Sequence, residues 1–541
     1  MKTTFKLKNI YSLTTGIVTY IYIFGLDFLN NKTSFFYEYD HPMFHAGYLA
    51  YINDEWKFPL TITDNLFPNE NFSIVWMDSI PIFSLILKVI YTTFGIKVSN
   101  PFPIWYLICY VLFAYYIGKT LQLRIKNNIT YLLSLIFIVN TPLMVNRMVW
   151  HSALAAHWLI VASIYFYIKN KDNNFNSLKE FALLTGISIF IHPYIFSMVF
   201  SIFVISYLLA FKKTTISELK KSAFVIFGTL ATYFVGFFRI ADDGNYSSTD
   251  YYKYGAEFNS FFCGEYTPEI INKYLWCYPP FTTFTHEGYA YFGLGVIFLS
   301  IFLIFNLKNI LVSLNNHWLI SLALSFMLLY SFGNKWKIAH YQFFEFEPTF
   351  LHMKILEIFR ATGRYSWPIY YFFLFFLVFR LLSLKKQYIL YPLLLIGLTL
   401  QIIDVSNIYN DKSEIFQTNI STTKQQELSK KIYNENPDEV MFVLPDERCS
   451  WGHIDHYVVA LQYLEKGGAL YSTRTARLKI NGEICSGYNV ENDIKANNPF
   501  HFVISDLNLL NDKNILFQYT CEEISKFSEN DLIPVYCKKS T

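Results

Sequence analysis

Glu38 and Asp40 stand one residue apart in the stretch YEYDHPMFH, just past the first apolar segment of the chain. On an extended segment alternate side chains point the same way, so both carboxylates would face one side. Such a pair can share a divalent metal, or divide the work of general base and electrostatic partner. A solvated acidic loop is the competing reading. His41 and His45 follow at once and add two imidazoles to the same stretch.

Four more places carry chemistry-bearing types. In NRMVWHSALAAHW (146–158), Arg147 and His151 lie four apart and share a helical face. His157 falls about a turn inside the apolar segment, where a lipid-headgroup anchor explains it poorly, although anchoring suits Arg147. FIHPYIF (190–196) sets His192 before Pro193, either as a structural hydrogen-bonder or in a pocket. IFRATGRYSWP (358–368) puts Arg360 and Arg364 four apart, with Gly363 allowing close backbone approach. Guanidiniums there suit a phosphate at a membrane surface; anchoring beside Trp367 is the alternative. THEGYAYFGLG (285–295) adds His286, Glu287 and a small-residue face for helix packing. No P-loop, GxGxxG, GxSxG or CxxC motif is present.

The elements that must position these residues are apolar. Of 541 residues, 53% are hydrophobic and 16% charged, against about 25% charged in a soluble chain. The formal charge of +3 gives no reason to expect a nucleic-acid partner. Apolar runs at 10–28, 102–118, 129–146, 152–168, 180–194, 195–211, 222–240, 289–306, 316–333, 365–383 and 387–405 read as spans. Lys2, Lys6 and Lys8 precede the first and predict a cytoplasmic N-terminus with an uncleaved anchor. A further run, 79–95, is read as a helix lying on the outer face. That one assignment puts KTLQLRIK (119–126), Lys169, Lys171, Lys212, Lys213, Lys220, Lys221, Lys308, Arg380, Lys385 and Lys386 on one side.

The expected fold is therefore mainly α: a polytopic membrane helix bundle of about eleven spans over residues 1–406. Its first outer loop is large, 29–101. From 407 to 541 the composition turns polar, and helical and strand patterns alternate, predicting a small extracytoplasmic α/β domain. Cys109 lies in a span; Cys263, Cys277, Cys449, Cys485, Cys521 and Cys537 fall in outside segments, where disulfides can form. Cys263 and Cys277 make a natural local pair, and at least one bridge is expected in the tail.

With that topology in place, the chain resembles the membrane-embedded C-type (GT-C) glycosyltransferase superfamily, and more closely an uncharacterised bacterial family of that kind. The resemblance rests on YEYDHPMFH, FPNENFSIVWMDSIPIFSLILK, HSALAAHWLI, HPYIFSMV, EGYAYFGLG, FRATGRYSWPIYY and LQIIDVS, with interfacial helices at 46–55 and 79–95. It implies inverting transfer of a sugar from a lipid-phosphate-linked donor to a glycan, lipid or protein acceptor. The place implied is the outer face of a bacterial inner (cytoplasmic) membrane, among its lipids. Asp40 would be the general base and Glu38 its assistant. Arg360, Arg364 and Arg147 would neutralise the donor phosphate, and His41, His45, His151, His157, His192, His286 and Glu287 would line the pocket. The resemblance fixes no cofactor beyond a possible divalent metal. A divalent metal, Mg or Mn, would sit on Glu38 and Asp40, but Arg147 and His151 stand where some members place a second acid. Two other readings compete: a transporter or flippase of lipid-linked glycans, and an assembly protein whose tail binds a partner. No inverted repeat of the transporter kind is visible.

Overall fold

The computed structural model describes residues 2–30, 33–37, 40–66, 72–211, 213–238, 254–263, 285–304, 312, 315, 317–338, 341–350, 352, 355, 359–383, 387–418, 423–435, 439–444, 455–472, 490–504, 507, 510–524 and 535–540. Glu38, Cys277, Cys449 and Cys485 lie outside them, and so does the side chain of His286.

The chain is mainly helical, with a small sheet near its C-terminus. Its helices are α1 (Lys2–Phe24), α2 (His41–Asn53), α3 (Pro81–Phe94), α4 (Phe102–Gln122), α5 (Asn128–Val139), α6 (Pro142–Trp150), α7 (His157–Asp172), α8 (Leu178–Ile189), α9 (Pro193–Ala210), α10 (Ile216–Gly236), α11 (Leu294–Ile304), α12 (Trp318–Ser331), α13 (Ser366–Leu381) and α14 (Gln387–Gln417). Every apolar run read from the sequence holds a helix. The run 129–146 holds two, because Pro142 has no amide proton to continue α5 and Asn140 turns its side chain back to the Ile136 carbonyl. Among the described residues, four stretches are long and apolar enough to cross a membrane: Phe102–Gln122, Asn128–Trp150, Pro193–Ala210 and Tyr388–Gln417. These mark a membrane protein.

Successive helices run between two ends of the bundle. At one end Lys8 Nζ donates to the carbonyls of Ile125 and Lys126 (2.9 and 2.8 Å). Arg124 grips Asp172 with both guanidinium nitrogens (2.6 and 2.9 Å), and Lys171 Nζ lies 3.0 Å from His317 Nδ1. The opposite end is tied by Tyr20 donating to the Pro103 carbonyl, Leu60 N–H to Gly236 O and Ala256 N–H to Ser331 O. Lys8, Arg124 and Lys171, from three of the basic stretches read from the sequence, thus stand at one end, away from the loops that hold Asp40, His151, His192, Glu287 and Arg364; Lys212, Lys308, Lys385 and Lys386 lie outside the described residues.

Beyond α14 come α15 (Thr423–Glu435), α16 (Asp455–Glu465), α17 (Val490–Asn497) and α18 (Lys513–Gln518). The composition boundary at 406/407 falls inside α14, whose helix continues to Gln417. Strands β1 (Ile62–Thr63) and β2 (Phe72–Ser73) pair in the first loop, and β3 (Lys335–Ile338) pairs with β4 (Tyr341–Glu345). The C-terminal sheet holds β5 (Val440–Leu444), β6 (Ala469–Ser472), β7 (His501–Ile504), β8 (Tyr519–Glu523) and β9 (Val535–Lys539), in the order β6-β5-β7-β9-β8. β5 is parallel to β6 and β7; β9 is antiparallel to β7 and β8. The alternation of helical and strand patterns read from the tail appears here as α15, β5, α16 and β6 in succession. This unit rests on the first loop: Asn53 Nδ2 donates to Leu464 O (2.6 Å), and Leu470 N–H to Asn65 O (2.9 Å).

Cys521 and Cys537 face each other across β8 and β9 and form a disulfide, and Cys263 is also disulfide-bonded. Cys109 is a free, buried thiol. Alkylation of the folded, non-reduced protein should therefore leave Cys521, Cys537 and Cys109 unmodified. Reduction should expose Cys521, and only unfolding should expose the fully buried Cys537 and Cys109. Mass spectrometry of the peptides reads this directly, and a freely labelled Cys521 would contradict the pairing.

Candidate functional site

The centre of the site is Glu287, in the short helical turn Thr285–Gly288. Arg147 comes from the last turn of α6 and Arg364 from the 3-10 turn Thr362–Tyr365 that leads into α13. Arg364 grips Glu287 in a two-pronged fork, Nε to Oε2 at 2.5 Å and Nη2 to Oε1 at 2.7 Å. Arg147 adds a second fork, Nη1 to Oε2 at 3.0 Å and Nη2 to Oε1 at 3.2 Å. Both arginines are buried, at 1% and 6% exposure. Arg364 also lies over the Tyr194 ring, 4.4 Å from its centroid. Burial alone would raise the Glu287 carboxyl; the Arg147 and Arg364 guanidiniums outweigh it and hold the group below the usual carboxylate range.

Two glycines make this convergence sterically possible. A Cβ on Gly363 would stand 2.6 Å from Gly288 Cα and 2.8 Å from the Tyr254 carbonyl oxygen. One on Gly288 would stand 2.6 Å from Gly255 O. These neighbours are backbone atoms and cannot swing aside. The close approach read from Gly363 in the sequence is thus realised, and it lets the Arg364 turn cross the Glu287 turn.

A second carboxylate faces the same group of side chains. Asp78 ends the first-loop 3-10 turn Ile74–Met77, with φ at +52°, and Ile80 two residues on repeats that value. Asp tolerates the left-handed region, but β-branched Ile80 does not, so the strain at Ile80 is held here by packing. Ser79 donates to the Phe44 carbonyl (2.8 Å), and Ser84 to the Ser79 carbonyl (2.5 Å). Held so, Asp78 Oδ2 lies 3.2 Å from His151 Nδ1 and Oδ1 lies 3.2 Å from His192 Nε2. Burial would raise the Asp78 carboxyl, but His192 and His151 outweigh that and hold it well below its ordinary value.

The ring tautomers follow from these contacts. The Tyr194 N–H donates to His192 Nδ1 (3.1 Å), capping α9 where Pro193 starts it, so the His192 proton sits on Nε2 and points at Asp78. His151 donates Nδ1–H to the ionised Asp78, which leaves its Nε2 lone pair 3.7 Å from Glu287 Oε1. Burial, then the Arg147 charge, pushes the His151 imidazole down, so the neutral ring prevails.

The other candidates stand around this centre. Asp40 occupies the N-cap position of α2, only 4% exposed, and its side chain makes no capping bond. His41 donates Nε2–H to the Val149 carbonyl (2.9 Å), with Nδ1 3.3 Å from Ser152 Oγ, and burial pushes it down to about 3. The Phe44 ring on α2 stacks on His151, 5.7 Å between centroids, so α2 brings Asp40 against the α6–α7 junction. His45 donates to the Ser99 carbonyl and packs against Phe102. His157 pairs with the Tyr371 hydroxyl (2.7 Å) and stacks near Trp367. Arg360 lies over the Tyr254 ring rather than on Glu287. Among the described residues no group of three or more His, Cys, Asp or Glu is arranged to hold a metal. Asp78 lies in the first outer loop and is not among the candidates the sequence singles out. Its signal was its place directly before a Pro-started apolar helix.

Glu287→Gln should destabilise the protein by roughly 3–5 kcal/mol, because two buried guanidiniums lose their common partner. The pH dependence has a fixed sign. The folded Glu287 and Asp78 values lie below the unfolded ones, about 3.9 to 4.3, so their stabilisation is full above that range. It is lost as pH falls through the folded values. The gap in unfolding temperature between wild type and Glu287→Gln should therefore be wide at pH 7 and close in strong acid. A gap that widens in acid would overturn the assignment. Gly363→Ala should cost roughly 1–3 kcal/mol by overpacking, read in the same unfolding assay.

Residues 13–406 match the family described as a domain of unknown function, DUF6311. No curated protein matches the chain. The matched stretch holds every residue of the site, from Asp40 to Arg364, and covers well over half of the sequence, so the protein belongs to the DUF6311 family.

Proposed function

We propose that this protein is a polytopic membrane glycosyltransferase of the C-type architecture, with about eleven spans, an inside N-terminus and an outside C-terminal unit. It moves a sugar from a lipid-phosphate-linked donor to an acceptor at the outer face of a bacterial inner membrane. One observation carries the reading. Six buried or half-buried side chains, Asp78, Arg147, His151, His192, Glu287 and Arg364, converge from five separate segments at the bundle end opposite the basic turns. Buried ionisable groups at the mouths of apolar helices mark functional sites by default. The gathering of Lys8, Arg124 and Lys171 at the other end supports the orientation, and the Cys521–Cys537 disulfide supports an oxidising compartment for the tail.

In this reading the acceptor hydroxyl attacks the anomeric carbon from the face opposite the departing lipid phosphate, and the configuration inverts. The hydroxyl proton goes to a base of the first outer loop or its neighbour. Asp40, buried beside the α6–α7 junction, and His151, oriented by Asp78, are the two groups fitted to take it. The Arg147 and Arg364 forks neutralise the charge that develops on the leaving phosphate.

Membranes carrying each variant at equal protein level, supplied with lipid-linked sugar, test the roles. Asp78→Asn removes the charge that orients His151, and should cut transfer about a hundredfold or more. Asp40→Asn should do the same if Asp40 takes the proton; if transfer survives it but falls in His151→Gln, the base is His151. Near-normal transfer in all three variants would sink the reading and favour a transporter of lipid-linked glycans.

A further inference from the structure

The helix α12 carries no charged residue, and its exposed Leu322, Phe326 and Leu329 follow one another at helical spacing. An exposed face of that kind suits lipid rather than water. The helix ends at Ser331, and the antiparallel hairpin β3–β4 begins four residues on. The apolar surface continues across that junction. Phe332 stacks on Phe258 with 4.0 Å between centroids, and Phe258 packs against Phe343 of β4 at 5.4 Å. Every residue of β4 is exposed, with Tyr341 at 79% and Phe343 at 54%, and Phe350 beyond it stands at 80%. A two-stranded hairpin is marginal by itself in water, and one that holds three such rings outward needs an apolar surrounding.

Two features say which surrounding. The charges of the hairpin balance: β3 holds Lys335 and Lys337, and Glu345 and Glu347 match them in number. Lys335 pairs with Glu345 at 3.1 Å. A balanced hairpin gains nothing from an anionic surface, while its aromatic rings suit the boundary between headgroups and acyl chains. Among the described residues β4 pairs with β3 alone, so its other edge is open. An open backbone edge excludes the hydrocarbon core but not the hydrated headgroup layer.

We propose that the β3–β4 hairpin is seated in the headgroup layer on the side of the Glu287 cluster, with Tyr341, Phe343 and Phe350 as its anchors. Its root is tied to that cluster. The Ser331 carbonyl accepts from the Ala256 N–H (2.7 Å) and from Thr362 Oγ1 (3.4 Å), and Thr362 opens the turn that carries Arg364. The seat thus holds the Arg364 turn close to the level of the headgroups. That a lipid-linked donor enters past it rests on the transfer reading; the seating itself does not.

The test uses the full-length protein in phosphatidylcholine nanodiscs. A nitroxide is coupled to Tyr341→Cys, Phe343→Cys or Phe350→Cys, and to Lys495→Cys of α17 as the reference in water; wild type treated in parallel gives the background. Access of a nickel chelate at 341, 343 and 350 should be about threefold or more below that at 495, while oxygen still collides freely. Exchanging phosphatidylcholine for phosphatidylglycerol should leave these values unchanged. Tyr341→Asp combined with Phe350→Asp alters two rings that are mostly exposed, so packing is spared. It should lift the hairpin and raise nickel access at 343 to near that at 495. The proposal is overturned if nickel reaches the three positions as freely as 495, or if the double variant leaves access at 343 unchanged. Dipolar broadening between labels at 341 would overturn it too, by showing a second copy on the patch. Seating as expected, together with transfer that survives Asp40→Asn, Asp78→Asn and His151→Gln, upholds the seat and removes only the donor-entry role.

Discussion

One carboxylate shared by two buried guanidiniums governs the outer end of this bundle. Taking three charges out of water carries a heavy desolvation cost, and mutual attraction offsets it only when the geometry is good. Here both arginines present a fork to Glu287, at 2.5–3.2 Å. The three residues come from turns at 147, 287 and 364, so the cluster works as a tie between segments far apart in sequence. Shifting any one turn by an ångström would strand a buried charge. The glycine crossing at 288 and 363 exists because that tolerance is so narrow.

The irregular backbone around the cluster has to be satisfied in apolar surroundings, where an unpaired amide or carbonyl costs several kcal/mol. The helix α14 supplies much of what is needed. Gln401 donates to the carbonyls of Asn140 and Phe292 and accepts from the Val296 N–H. Asp404, one turn on, accepts from the Leu294 N–H and the Tyr291 hydroxyl. Two polar side chains thus stabilise the break after α5 and the start of α11. Gly295 lets the helices meet closely enough: its Cβ would fall 2.1 Å from the Gly397 carbonyl. The stretch that carries Glu287 is anchored at both ends, by Arg147 and Arg364 at Glu287 and by Gln401 and Asp404 of α14 at residues 291–296.

Much of this was legible in the sequence. Every apolar run holds a helix, because long apolar stretches need little context to be recognised. The strand VMFVL and the arginine pair with its glycine were legible for the same local reason. Arg147, His151, His192, Glu287 and Arg364 were all picked out by type and place, but their mutual contacts were not, since those depend on how five turns meet. The phosphate role assigned to Arg360 and Arg364 alike divides in space: Arg364 turns to Glu287 and Arg360 to Tyr254. Asp78 carries no motif of its own, because its partners His151 and His192 come from segments far away in the sequence and only the fold brings them to it. Places where local preference and structure disagree are where strain is held for a purpose. The full length of α14 was also hidden, since its last turns are polar and are held by tertiary contacts, Gln417 with the Ile23 carbonyl and Phe416 with Phe24, Phe28 and Phe35.

The charge of the cluster sets a condition on any reaction carried out there. Two guanidiniums and two carboxylates leave it without net charge while both imidazoles are neutral. A phosphate added to that set would bring excess negative charge into a buried site, at a cost that grows as the surroundings dry. Exchange avoids this. Both forks already close on the two Glu287 oxygens, so under the proposed transfer a donor phosphate would have to take the place of the carboxylate rather than join it. Glu287 would then move toward water or take up a proton, and its return would help expel the product phosphate. On this view the carboxylate that organises the resting site is also the group that keeps the arginines aligned for an anion not yet bound.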